Sequence, residues 1–257
     1  MGFFDFTDAI VRLPADSAVD GLRAGNGPAP SLDGIRAEHD SYVEALRRIG
    51  LDVDILPPLD RHPDSMFVED PALVFPEGAI LLRPGAPSRR DEAALLEPVL
   101  RQRFEALLAL DEGSADGGDV LVTPARVYIG CSNRTDEAGA RALARSLGKI
   151  GRDTRIVATP PGTLHLKSDS ALLGEDAVLA TPALAASGAF EGFEILITPE
   201  GEESGANLVR IGRSVLVGAA FRRTIDLIAG RGLTPVPLDT TEIAKVDAGL
   251  SCMSLRW

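Results

Sequence analysis

Four stretches of the chain repeat one arrangement of apolar and polar positions. ALVFPEGAILLRPG, DVLVTPARVYIG, ALLGEDAVLAT and NLVRIGRSVLVG each set two short apolar runs around a polar turn, the signature of a β-hairpin. A helical pattern follows each hairpin: RRDEAALLEPVLRQRFEALL, TDEAGARALARSLGKIG, TPALAASGAF and FRRTIDLIAGRG in turn. The last three helices lead into single strands, RIVATP, EILITP and TPVPLD.

The N-terminal part reads as an incomplete fifth copy. DAIVRLP predicts a strand. SLDGIRAEHDSYVEALRRIG predicts a helix with Ile35, His39, Tyr42, Val43, Leu46 and Ile49 on one stripe. Ser31 suits its N-cap and Gly50 its C-cap. LDVDILP alternates, with Leu51, Val53 and Ile55 on one face. The order strand, strand, helix, strand thus recurs about five times. Each unit alone leaves an apolar face uncovered, so the units must pack together. They fit a ring with loops meeting near its centre, or an open α/β sheet, although hairpins are few in a doubly wound parallel sheet. GLRAGNGPAPSLDG lacks apolar periodicity and predicts a mobile surface loop or lid.

Composition narrows the function classes. A net charge of −12 argues against nucleic acid and anionic membrane as partners and is compatible with a cationic small ligand. No stretch approaches the ~20 apolar residues of a membrane span. MGFFDFTDAI carries acids where a signal peptide would carry a basic region. Two cysteines and three histidines make neither a disulfide framework nor a Cys/His zinc site. No nucleotide phosphate cradle of the G-x-G-x-x-G or Walker type occurs. The expectation is a cytoplasmic protein with reduced thiols and no metal.

The chemistry-bearing residues each admit two readings. Cys252, in the closing DAGLSCMSLRW, is a buried small residue of a final strand or a nucleophile that needs a base. His165, in TLHLKS, falls on the same strand face as Thr163 and Lys167 and is structural or a general acid/base. His39 belongs to the helix stripe and reads as core. His62 lies in a loop with no orienting partner visible. HPDSMFVEDP puts Asp64 in a turn, and Glu69 and Asp70 at the end of a short strand stopped by Pro71. SADGGDVLV holds Asp116 and Asp119, either as an Asp-Gly turn or with an acid that orients an imidazole. Arg89 and Arg134 are surface arginines or carboxylate clamps. Cys131 reads as a strand-end thiol.

Taken together and in this order, HPDSMFVEDP, DGGD, SNRTDEAGA, TLHLKS and DAGLSCMSLRW resemble dimethylarginine dimethylaminohydrolase over nearly the whole chain, from about Val11 to Trp257. The resemblance implies a five-bladed α/β propeller of pseudo-fivefold ββαβ units in one catalytic domain, 1–257, monomeric or homodimeric. It implies hydrolysis of asymmetric dimethylarginine and monomethylarginine to citrulline and an amine, with no cofactor or metal. By the same resemblance Cys252 is the nucleophile, His165 the general acid/base and Asp116 the acid that orients it. Asp70 holds the guanidinium with Glu69 beside it. Arg89 and Arg134 bind the α-carboxylate. Leu22 and Asp64 line the amino-acid end, Phe67 is a further substrate-binding residue, and the loop after Leu22 is the lid. Asp136 departs from the Asn that many members carry. It either adds negative charge near the substrate carboxylate or favours a helix N-terminus. The rival readings are an arginine deiminase or amidinotransferase of the same superfamily, and a non-catalytic protein that binds guanidino ligands.

Overall fold

The structure, a computed structural model, describes residues 2–25 and 27–257. In chain order the elements begin with β1 (Asp8–Arg12), α1 (Leu32–Ile49), β2 (Asp52–Leu56), β3 (Ala72–Phe75), β4 (Gly78–Leu81), α2 (Glu92–Arg103) and β5 (Leu107–Ala109). There follow β6 (Val120–Val122), β7 (Val127–Cys131), α3 (Glu137–Lys149), β8 (Thr154–Ala158), β9 (Ser170–Leu172), β10 (Ala177–Ala180), α4 (Pro182–Ala186) and β11 (Glu194–Ile197). The last are β12 (Val209–Ile211), β13 (Ser214–Gly218), α5 (Arg222–Gly230), β14 (Thr234–Leu238) and β15 (Leu255–Arg256).

Five three-stranded sheets of one design result among the described residues. In each, the middle strand pairs antiparallel with one neighbour and parallel with the other. A hairpin closes the antiparallel pair in four of them. The parallel pair needs a crossover, and a helix supplies it. The fold class is therefore the expected set of five ββαβ units. The chain divides into two compact units, 1–68 with 207–257, and 69–206.

The first unit holds the sheets β15-β1-β2 and β12-β13-β14. Its core joins the buried stripe of α1, which includes Ile35, Tyr42 and Leu46, to Val11, Leu216, Leu250 and Met253. His39 is fully buried on that stripe, as expected. Ser31 caps α1 by accepting from the Gly34 amide at 3.3 Å, and Gly50 ends it in the left-handed region at φ 111°. Two expectations change here. Ile55 is 39% exposed while Leu56 is buried, so the alternation slips at the end of β2. The C-terminal tail does not belong to the last hairpin unit. β15 pairs antiparallel with β1, Ile10 opposite Leu255, and completes the N-terminal sheet, the copy that reads as incomplete in the sequence.

The second unit holds β3-β4-β5, β6-β7-β8 and β9-β10-β11. Ile80, Ile129, Leu143 and Leu147 are fully buried in its core. The sequence places one long helix through RQRFEALL; the structure ends α2 at Arg103. Phe104 is extended, and Leu107 pairs with Ala79 of β4 as β5. An available edge on β4 outweighs local helix preference there. TPALAASGAF forms only the five residues of α4. No helix among the described residues is long and apolar enough to cross a membrane.

Candidate active site

The second unit gathers the ionisable residues. Glu69 and Asp70 precede β3 in a turn instead of ending a strand, and both are buried. Asp70 Oδ1 accepts the Gly118 amide at 3.0 Å, and its Oδ2 pairs with the Arg89 guanidinium. Arg89 also donates to Glu92 at 2.8 Å. Burial opposes ionisation of Asp70, but Arg89, His165 and the Gly118 amide outweigh it and hold the carboxyl below its ordinary range. Glu69 accepts from Lys167 Nζ at 2.5 Å.

The DGGD stretch is shaped by close approach. No positive φ is involved at either glycine. A Cβ on Gly117 would lie 2.0 Å from the Glu69 carbonyl oxygen, and one on Gly118 would lie 2.8 Å from the His165 ring. Asp116 leads into this turn and is fully buried. Its Oδ2 lies 3.0 Å from His165 Nε2, and its Oδ1 accepts the Gly85 amide at 2.7 Å.

His165 is 7% exposed. TLHLKS is not a strand: His165 itself is extended, and a 3-10 turn, Leu166–Ser168, starts directly after it. Burial alone would lower the imidazole's pKa. Asp70, the hydrogen bond to Asp116, and the charges of Asp119 and Asp116 overcome that and raise it to about 9. The ring is therefore an imidazolium at neutral pH. Asp70, Asp116 and His165 bring one ligand-type atom each to within 4.8 Å of one another, a set that could also hold a divalent cation. Ion pairing and hydrogen bonding account for the grouping here.

Arg134 lies on the turn before α3 and is half-buried. Unlike Arg89, its guanidinium has no ion-pair partner among the described residues. Asp136 is the N-cap of α3 and accepts the Gly139 amide at 2.7 Å and the Ser114 amide at 3.1 Å. Its carboxylate thus caps a helix. Cys131 ends β7, half-buried, and burial together with Asp119 and Glu137 raises its pKa.

The first unit holds the remaining residues. Cys252 is buried in a 3-10 turn, Leu250–Met253, rather than in a strand. Asn207 clamps that turn: its Oδ1 accepts the Ser251 amide at 3.0 Å and its Nδ2 donates to Ser251 Oγ at 3.2 Å. Gly249 packs so tightly on the Asn207 amide that a Cβ would come to 2.4 Å. Downstream, Ser254 Oγ lies 2.6 Å from Tyr42 Oη on α1. Asp64 Oδ1 accepts the Leu22 amide at 2.9 Å, so these two expected neighbours are together, while Phe67 is buried in the core cluster. The predicted lid is tied at three of its amides: Leu22 to Asp64, Ala24 to Asp247, and Ser31 to Glu242 at 2.6 Å. Its Asn26 lies outside the described residues.

Comparison with known proteins bears on this arrangement. The model of the arginine deiminase family matches residues 55–227. Over 254 residues the chain is 36% identical to N(G),N(G)-dimethylarginine dimethylaminohydrolase of Pseudomonas aeruginosa, covering 98% of this chain and 100% of that protein. The chain belongs to the dimethylarginine dimethylaminohydrolase family. A second dimethylarginine dimethylaminohydrolase, from Streptomyces coelicolor, is 36% identical over 258 residues, 96% of each chain. The solved structure of the Pseudomonas aeruginosa dimethylarginine dimethylaminohydrolase, a Cys-to-Ser mutant complexed with citrulline, matches with a TM-score of 0.95 at 36% identity, over 99% of this chain and 100% of that one. Reading the sequence did not single out Asn207, Ser132, Thr135 or Gly85, which hydrogen-bond to Ser251, Asp119 and Asp116, and it left the role of Asp119 open. Small polar residues carry no periodic signal, and only their contacts distinguish them.

Proposed function

We propose that this protein hydrolyses N-ω-methylated arginines to citrulline and dimethylamine or methylamine through a cysteine-dependent mechanism. The observation that carries the reading is the buried imidazolium of His165, hydrogen-bonded to Asp116, beside a carboxylate that already holds a guanidinium. Asp70 offers about four acceptor positions and two are used by Arg89 and Gly118, so it can accept a substrate guanidinium as well. We assign Cys252 as nucleophile, His165 as general acid/base, and Asp116 as the residue that orients and charges it. Arg134 is the better placed of the two arginines for an α-carboxylate. For Arg89 to join it, a carboxylate partner must be exchanged. Leu22, Asp64 and Phe67 keep their assignment to the substrate, and Glu69 stays beside Asp70, held by Lys167.

The chemistry needs these types. The Cys252 thiolate attacks the guanidinium carbon. An amine anion cannot leave, so His165 gives its proton to the departing dimethylamine. A thiouronium remains on sulfur. The now neutral His165 takes a proton from water, the hydroxide adds to the carbon, the thiolate departs, and the hydroxyl proton of the adduct passes to solvent, leaving citrulline. The whole chain, 1–257, is proposed as one catalytic domain. The cytoplasmic location read from the cysteine count belongs to the same proposal.

The test is product analysis with asymmetric dimethylarginine, monomethylarginine and arginine as separate substrates, and Cys252→Ser as control. Citrulline with dimethylamine, absent from the variant, is the expected outcome. Citrulline and ammonia from arginine alone would move the assignment to a deiminase, the reading that the family match at 55–227 favours. No turnover of any substrate sinks the hydrolase reading and leaves guanidino binding.

A further inference from the structure

The turn that carries Arg134 and the segment that carries His165 meet at one side chain to which no role has been given. Asp119 is fully buried. Its Oδ1 accepts the Leu166 amide, next to His165, at 2.9 Å. Its Oδ2 accepts Ser132 Oγ at 2.6 Å and Thr135 Oγ1 at 2.7 Å. Ser132 Oγ accepts the amides of Arg134, at 3.0 Å, and Thr135, at 3.3 Å. Thr135 Oγ1 accepts the Asp116 amide at 3.1 Å. One carboxylate therefore ties together the backbone of the orienting acid, the backbone of the imidazole and the turn of the free arginine.

The donor count says why this position needs a carboxylate. A hydroxyl has two lone pairs and one proton. Both lone pairs of Ser132 are taken by backbone amides, so its proton must find an acceptor. Thr135 donates to the same oxygen. Leu166 N–H needs the other one. Only a side chain with an acceptor at both ends satisfies all three, and an amide would turn a donor toward one of them.

We propose that Asp119 is a positioning residue for the reaction, holding His165 against Asp116 and fixing the 132–135 turn so that Arg134 meets the substrate carboxylate. It acts through those groups and touches no reacting atom. The inference rests on the assignment of His165 as general acid. Its negative charge has a second effect, since it is one of the charges that raise the imidazole.

The experiment uses the full chain, asymmetric dimethylarginine as substrate, and the variants Asp119→Asn, Thr135→Val and Thr135→Ser. Asp119→Asn is expected to lower kcat/KM on the order of 100-fold, as misplacement of catalytic groups does. KM should rise, and the basic limb of the kcat/KM profile should move down from about pH 9. Thr135→Val should show part of the same loss, and Thr135→Ser, which restores the hydroxyl, should recover it. A purely structural role would lower the melting temperature and leave KM and the pH limb of the folded protein in place. Unchanged KM and limb in Asp119→Asn, or in Thr135→Val should the first variant not fold, overturn the proposal. His165→Gly separates the two claims. If it is inactive while those variants behave as wild type, only the role of Asp119 fails. If it keeps wild-type turnover, the reading of the site fails and the proposal with it.

Discussion

His165 shows how a residue's surroundings decide its chemistry. An exposed histidine is mostly neutral at pH 7. Here burial pushes toward neutrality, but Asp70, Asp116 and Asp119 prevail and the ring stays charged up to about pH 9. In its proposed role of general acid, His165 must hold its proton in the free enzyme, and kcat/KM reports that state. For asymmetric dimethylarginine, kcat/KM is therefore expected to fall as pH rises through about 9. Asp116→Asn removes the charge and leaves at most a neutral hydrogen bond at Nε2 in place of a charge-assisted one. A pH–rate profile of that variant should show the basic limb displaced downward and the plateau lowered by on the order of 100-fold or more. A limb left near 9 in the variant would count against Asp116 as the partner that matters. Arg89 and Arg134 make the parallel point. They are the same type with the same expected task, yet one lies between two carboxylates and the other has none among the described residues.

At the scale of elements, helix ends and turns place the side chains that the strands cannot. Asp136 had two readings in the sequence, and its hydrogen bonds to the Gly139 and Ser114 amides make it a cap. Asp136→Ala is then expected to cost about 1 kcal/mol of stability. Denaturant titration measures that loss, while KM for the methylated arginine should stay within twofold. A large change in KM with unchanged stability would restore the substrate-side reading. The turn holding Cys252 illustrates the same logic. β15 anchors the tail to β1, Tyr42 holds Ser254, and Asn207 clamps Ser251. The thiol sits between these anchors in a 3-10 turn, which keeps it buried.

Across the whole molecule, two histidines set opposing dependences of stability on pH. His39 is buried in the first unit, where desolvation, partly offset by Asp40, lowers its pKa to about 4. The unfolded chain takes up that proton near 6.5, so the unfolded state binds more protons between 6.5 and 4 and stability falls as pH falls through that window. His165 is raised, so its contribution is complete below 6.5 and is lost as pH rises through about 9. Asp119, raised to about 6 mainly by burial, partly offsets His39 on the acid side, because its folded form takes up a proton first. His39 must accordingly be read as a difference. Between pH 6.5 and 4, wild type should lose on the order of 3 kcal/mol relative to His39→Leu. Chemical denaturation at both pH values checks this, and a constant difference would show that His39 is not neutral in the fold.

The sequence alone determined the repeated ββαβ order and the caps of α1. These rest on local signals, namely period-2 and period-3.6 patterns, turn residues and short motifs. The tertiary structure decided what depended on a distant partner. β5 is a strand because β4 offers an edge. The tail completes the first sheet because β1 is open on that side. Glu69 and Asp70 are buried because Lys167 and Arg89 neutralise them. The two glycines of DGGD look like a turn in one dimension, and their reason is a carbonyl and an imidazole brought from elsewhere in the chain. Asn207 has no pattern to announce it, and the motifs that contain Asp119, Ser132 and Thr135 do not say what these side chains hold. A hydrogen bond needs geometry within a few tenths of an ångström, and only the fold supplies that.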